Sequence, residues 1–96
     1  MQSDTKIVRK AGRAEGQVQG VGFRVFVRSE AKKVGVTGWV KNMSDGSVTM
    51  ELQGEEKIIE QLIEKIKQGR GRIKVTRFEI SDLPFAEGEK GFAIRH

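Results

Sequence analysis

The chain has 96 residues, 18 Lys and Arg against 13 Asp and Glu for a formal net charge of +5, no cysteine, and one histidine, His96. That length supports one hydrophobic core and excludes a multi-domain machine. The absence of cysteine excludes disulfides, zinc ribbons and thiolate nucleophiles, and a lone terminal histidine gives neither a histidine-centred metal site nor a Ser-His-Asp triad a credible base.

Residues 1–6 are polar and aperiodic, and they read as a flexible tail on a single domain that spans 1–96. No stretch approaches the roughly 18 apolar residues of a membrane span, and Met1 to Gly12 holds no apolar run. The expectation is a soluble, cytoplasmic protein. Residues 1–35 carry 8 basic and 3 acidic groups, so the positive field gathers at the front and favours an anionic partner.

Ile7 to Val18 reads as a strand, and a weakly apolar one, because Lys10, Gly12 and Ala14 share one phase. Gly16, Gly20 and Gly22 then fall within seven residues, the composition of a sharply bent loop. Phe23, Phe26, Val27, Ala31 and Val34 recur at helical spacing up to Gly35, which predicts an amphipathic helix over 23–34. Val36 to Met43 and Ser47 to Gly54 read as strands joined by the turn Ser44-Asp45-Gly46, which makes a hairpin.

Glu55 to Gln68 predicts a second helix, with Ile58, Ile59, Leu62, Ile63 and Ile66 as its apolar stripe, acidic residues first and basic residues last. Arg72 to Ser81 reads as a strand whose apolar phase switches between Val75 and Phe78, so a bulge or twist is expected near Thr76. A short strand through Phe92 and Ile94 closes the chain. The order is that of an α+β, ferredoxin-like βαββαβ sandwich: one antiparallel sheet, two helices on one face, and a short extra C-terminal strand. This architecture hosts enzymes, RNA binders and metal carriers, so it leaves function open.

The glycine loop feeds backbone N–H groups from Gln19 to Phe23 into a helix start that lacks any Ser, Thr, Asp or Asn cap. A phosphate attracted by the helix dipole would satisfy those donors. Capping by glycine or water accounts for the spacing equally well. Arg24 sits where its guanidinium could fork onto two phosphate oxygens, or lie on the surface as most arginines do. In a right-handed crossover the first two strands run parallel, so Asn42 emerges at the same sheet edge as the glycine loop. Its carboxamide suits holding a water, although position alone favours an asparagine that starts the 44–46 turn.

Gly16-Gln17-Val18-Gln19-Gly20-Val21-Gly22-Phe23-Arg24, followed by Gly38-Trp39-Val40-Lys41-Asn42 and Asp45-Gly46-Ser47-Val48, resembles the two signature motifs of the acylphosphatase family. The resemblance implies hydrolysis of the carboxyl-phosphate bond of small acyl phosphates, with no metal and no cofactor. It implies that Arg24 binds phosphate, that Asn42 positions water, and that the amides of Gln19, Gly20, Val21, Gly22 and Phe23 form the cradle. Inorganic phosphate is then both product and inhibitor, and a monomer with no membrane partner is expected. The weakly apolar first strand and Met43 depart from the family's usual pattern.

Two other readings compete. The positive charge and Lys90-Gly91-Phe92-Ala93-Ile94 partly match an RNA-recognition module, but Phe92 and Ile94 read more simply as a core-facing strand, and nucleic acid is not the expected partner. A domain that binds phosphate without turning it over is the third.

Overall fold

The computed structural model describes residues 5–96. Its elements in chain order are β1 (Ile7–Gln17), α1 (Phe23–Lys33), β2 (Thr37–Asn42), β3 (Val48–Glu55), α2 (Glu56–Gln68), β4 (Lys74–Leu83) and β5 (Phe92–Arg95). Of the expected tail over 1–6, residues 1–4 lie outside the described residues, whereas the Lys6 carbonyl accepts a hydrogen bond from the Glu56 amide at 2.8 Å.

The sheet order is β4-β1-β3-β2-β5. β4, β1, β3 and β2 pair antiparallel, as the sequence leads one to expect. β5 adds itself to β2 in parallel, with Gly38 opposite Phe92, and so makes the sheet mixed. Both helices leave a β-strand and return to a parallel one with a third strand between them, which places their apolar faces on the same side of the sheet.

That side is the core. Phe23, Phe26, Val27 and Ala31 of α1 and Ile59, Leu62, Ile63 and Ile66 of α2 are buried against Val40, Val48, Met50 and Leu52 of the sheet. Burying a single side chain of this size stabilises the fold by about 2 kcal/mol. Glu30 of α1 is also buried and receives Lys33 at 3.1 Å and Lys65 of α2 at 3.5 Å, an ionic tie between the helices. The Lys33 hydrogen bond is the main reason its carboxyl titrates below its ordinary value.

The weak apolar phase of β1 has a packing reason. A Cβ on Gly12 would lie 2.7 Å from the Phe78 ring and 3.2 Å from the Met50 side chain, so the missing side chain is the space those two neighbours fill. The bulge expected near Thr76 is there: Glu15 faces Arg77 and Gly16 faces Val75, leaving Thr76 as the extra residue. Its hydroxyl donates to the Glu15 carbonyl at 3.2 Å. The phase switch between Val75 and Phe78 follows from that one insertion.

The outer face of the sheet carries a polar cluster. Arg9, 6% exposed, donates to Glu51 at 3.0 Å, to Gln53 at 3.2 Å, and to both carboxylate oxygens of Glu89 at 2.8 and 3.0 Å. Gln53 in turn holds the Ala86 backbone by both of its groups, at 2.8 and 2.9 Å. The segment between β4 and β5 is thereby fastened across β1 and β3. Neither helix is long and apolar enough to cross a membrane.

Candidate active site

Val18 is the last buried residue before the loop, and the chain then turns through Gly20 and Gly22 at φ 73° and 80°. Gly22 occupies the N-cap of α1 in the left-handed region, with no side-chain hydrogen bond to the cap and no acidic residue in the first turn. The first intrahelical bond runs from the Phe26 amide to the Gly22 carbonyl at 3.0 Å. By helix geometry the N–H groups of Phe23, Arg24 and Val25 therefore have no acceptor within the helix, and the positive end of its dipole adds to them.

The residues that carry these donors line a cavity of about 120 Å³ together with Val18, Gly20, Gly22 and Asn42. Such a volume holds several water molecules, room for a small tetrahedral anion and a water. The topology expected from the crossover is met: β1 and β2 run parallel on either side of β3, so the loop after β1 and Asn42 at the end of β2 share one rim.

Arg24 is half-buried and lines this cavity. Its Nη1 lies 3.5 Å from the Arg95 carbonyl and 3.4 Å from His96 Nδ1, so the end of the chain steadies it loosely. Among the described residues it makes no ion pair, whereas Arg9, Lys10 and Arg13 of the same basic front third are matched by Glu51, Glu89, Asp82, Glu15 and Asp45. Those three charges are thus matched on the sheet, whereas that of Arg24 is left at the cavity.

Asn42 Oδ1 is buried and has no hydrogen-bond partner among the described residues. An unpaired buried acceptor costs about 1–3 kcal/mol, and a donor arriving in the cavity would repay it. The turn after Asn42 is ordered by Asp45, whose Oδ1 accepts from the Ser47 hydroxyl at 2.6 Å and the Ser47 amide at 2.9 Å. Those two bonds, and then Arg13 at 2.8 Å, hold the Asp45 carboxyl well below the usual carboxylate range.

Of the residues singled out in the sequence, Gly20, Gly22, Phe23, Arg24 and Asn42 come together around the cavity. Gln19 and Val21 do not line it: Val21 packs against the core, and the Gln19 carboxamide reaches the carbonyls of Met43 and Ser47. Val18 and Val25 line it and were not singled out. Val25 is 54% exposed and lies off the helix's apolar stripe, a sequence signal that went unused. The RNA-recognition reading loses its aromatic platform, since Phe92, the first residue of β5, is buried and could not stack on a base.

The acylphosphatase family model matches residues 10–94. An acylphosphatase of Clostridium beijerinckii is 40% identical over 90 residues, covering 94% of this chain and 100% of that one. One of Geobacillus thermodenitrificans is 46% identical over 82 residues, covering 85% and 87%. The crystal structure of acylphosphatase from Bacillus subtilis superposes with a TM-score of 0.88 at 36% identity, covering 95% of this chain and 100% of that one. With a matching model over nearly its whole length and relatives of this identity, the chain belongs to the acylphosphatase family.

Proposed function

We propose that the cavity at the start of α1 hydrolyses small acyl phosphates, with Arg24 and the backbone amides from Gly20 through the first turn of α1 holding the phosphoryl group and Asn42 orienting the attacking water. The observation that carries this reading is the meeting, in one small cavity, of an uncapped helix start, an arginine and an asparagine oxygen that have, among the described residues, no ionic partner and no donor respectively.

The chemistry asks for little more. Water attacks phosphorus, the bond from phosphorus to the bridging oxygen breaks, and the carboxylate leaves with the electron pair. Its conjugate acid has a pKa of about 4, so it departs without a general acid. The charge on the transferring phosphoryl oxygens is met by N–H groups and a guanidinium already in place, and this preorganisation lowers the barrier. Asn42 Oδ1 accepts one hydrogen of the water and thereby aims its lone pair. The water's proton ends on the product phosphate.

Orthophosphate, which fits the same donors, is a competitive inhibitor in this reading. Residues 1–96 form one catalytic unit that works as a monomer in the cytoplasm, without metal or cofactor. The test is turnover of benzoyl phosphate in the presence of a chelator. Hydrolysis by the wild type, nearly abolished in Arg24→Ala, is expected; tight phosphate binding without turnover would assign the cavity to a sensor instead.

A further inference from the structure

Gln19 belongs to the anion loop, yet its side chain turns away from the cavity. Nε2 donates to the Met43 carbonyl at 2.8 Å and to the Ser47 carbonyl at 2.9 Å, which uses both hydrogens of the amide. These two carbonyls frame the turn between β2 and β3. The Met43 amide donates to Ser47 O at 2.8 Å, and the Gly46 amide donates to Met43 O at 3.2 Å. Met43 is the residue directly after Asn42, so the Gln19 side chain reaches Asn42 through one short hydrogen bond and the Met43 backbone, with the bond to Ser47 as a second hold on the turn.

We infer that Gln19 is a positioning residue for the reaction: its carboxamide pins the anion loop to the β2–β3 turn and so sets the spacing between the bound phosphoryl group and the water on Asn42. The inference rests on the proposed function of the cavity and adds a residue that touches neither substrate nor water. β1 and β2 are not hydrogen-bonded neighbours, because β3 runs between them. Apart from Gln19, the loop and Asn42 are registered through the sheet and, from within β1, by the ion pair of Arg13 with Asp45 in the turn, and a misplacement of about 1 Å in such a site can cost about a hundredfold in rate.

The residue type fits the task. Two carbonyl oxygens facing one gap need an uncharged group with two hydrogens to give. A glutamate would set lone pairs against both oxygens, and a methionine would fill the same length without a donor.

The experiment compares benzoyl phosphate kinetics and orthophosphate inhibition in the wild type, Gln19→Met, Asn42→Ala and the double variant. Gln19→Met is expected to lower kcat about tenfold to a hundredfold, with KM and the phosphate Ki moving less than about threefold. The double variant is expected to be no slower than Asn42→Ala alone, because Gln19 acts through Asn42. Raised KM and Ki at unchanged kcat would overturn the inference, as would losses that multiply in the double variant.

Gln19→Glu gives a second, independent reading. Its turnover should fall as the pH rises through the titration of the introduced carboxyl, which can donate only when protonated, and the wild type should lack that limb. A flat profile would overturn the inference even if Gln19→Met proved too unstable to assay. Failure of the underlying reading looks different: the wild type does not turn over, or Asn42→Ala is as fast as the wild type, and the positioning role falls with it.

Discussion

Arg13 Nη2 stands 2.8 Å from Asp45 Oδ2, and this pair ties β1 to the turn that follows Asn42. Asp45 also accepts both donors of Ser47, so one carboxylate organises the rim of the site from two directions. Its carboxyl is held down, first by the Ser47 hydroxyl and amide and then by Arg13. A carboxyl lowered on folding stabilises the protein fully above the unfolded value of about 3.9 and loses that contribution as the pH falls toward the folded value. Asp45→Asn should therefore have a lower urea midpoint at about pH 7, with the gap narrowing as the pH is taken down to about 2. A gap that does not change with pH would mean that the charge of Asp45 is irrelevant to the turn.

Arg24 and Asn42, the two residues proposed to face the substrate, should separate kinetically. Asn42→Ala is expected to lower kcat by about 10²- to 10³-fold while the orthophosphate Ki changes only a few-fold, because water, not phosphate, loses its holder. Arg24→Lys keeps the charge but not the fork, so phosphate inhibition should weaken while some turnover survives. Steady-state kinetics with orthophosphate titrations decide this, and equal losses in kcat and Ki for Asn42→Ala would contradict the water-holding role.

On the far face of the sheet, Arg9 is enclosed by Glu51, Gln53 and Glu89. Arg9→Met would leave two carboxylates and a glutamine oxygen facing an apolar chain, at a cost of about 2–4 kcal/mol. Glu89 is pulled below its ordinary value mainly by its hydrogen bond to Arg9. Its contribution is therefore complete above about pH 4.3 and fades in acid, so the destabilisation by Arg9→Met should shrink as the pH falls below that value. Chemical denaturation at several pH values checks both the size and the slope, and turnover per folded molecule should stay near that of the wild type.

Gly38 of β2 stands opposite Leu52 of β3. At φ 145° its backbone is in a region that side chains rarely adopt, and a Cβ there would fall 1.8 Å from the Glu51 carbonyl oxygen. Gly38→Ala should destabilise the chain by more than about 3 kcal/mol, since neither strand can yield without breaking the ladder. A melting temperature within a degree or two of the wild type, at about pH 7, would show that the sheet accommodates the methyl group.

Much of this molecule could be read from its residues because its local signals agree. The 23–34 stripe, the turn at Asp45-Gly46 and the charge order of Glu55–Gln68 each produce the element they suggest, with bounds displaced by a residue or two. Even the bulge at Thr76 was legible, since one inserted residue reverses a period-2 pattern. What pairing decides was not legible. Lys10, Gly12 and Ala14 made β1 look poor because the Phe78 ring that fills the space over Gly12 arrives from a strand more than sixty residues away in sequence. The Arg9 cluster, the parallel seating of β5 and the reach of Gln19 to Met43 and Ser47 are likewise contacts between distant segments, which no local periodicity encodes.

The bare start of α1 has a consequence for the protein's tolerance of heat. Most helices close their first turn with a side-chain oxygen, and this one leaves it to whatever occupies the cavity, so the resting enzyme forgoes roughly 1 kcal/mol that an ordinary cap would supply. Product phosphate should therefore act as a thermoprotectant, raising the unfolding temperature in proportion to the logarithm of its concentration. An aspartate or serine at Gly22 would not restore the missing cap, because a side chain at φ 80° is strained and the capping geometry needs an extended backbone there.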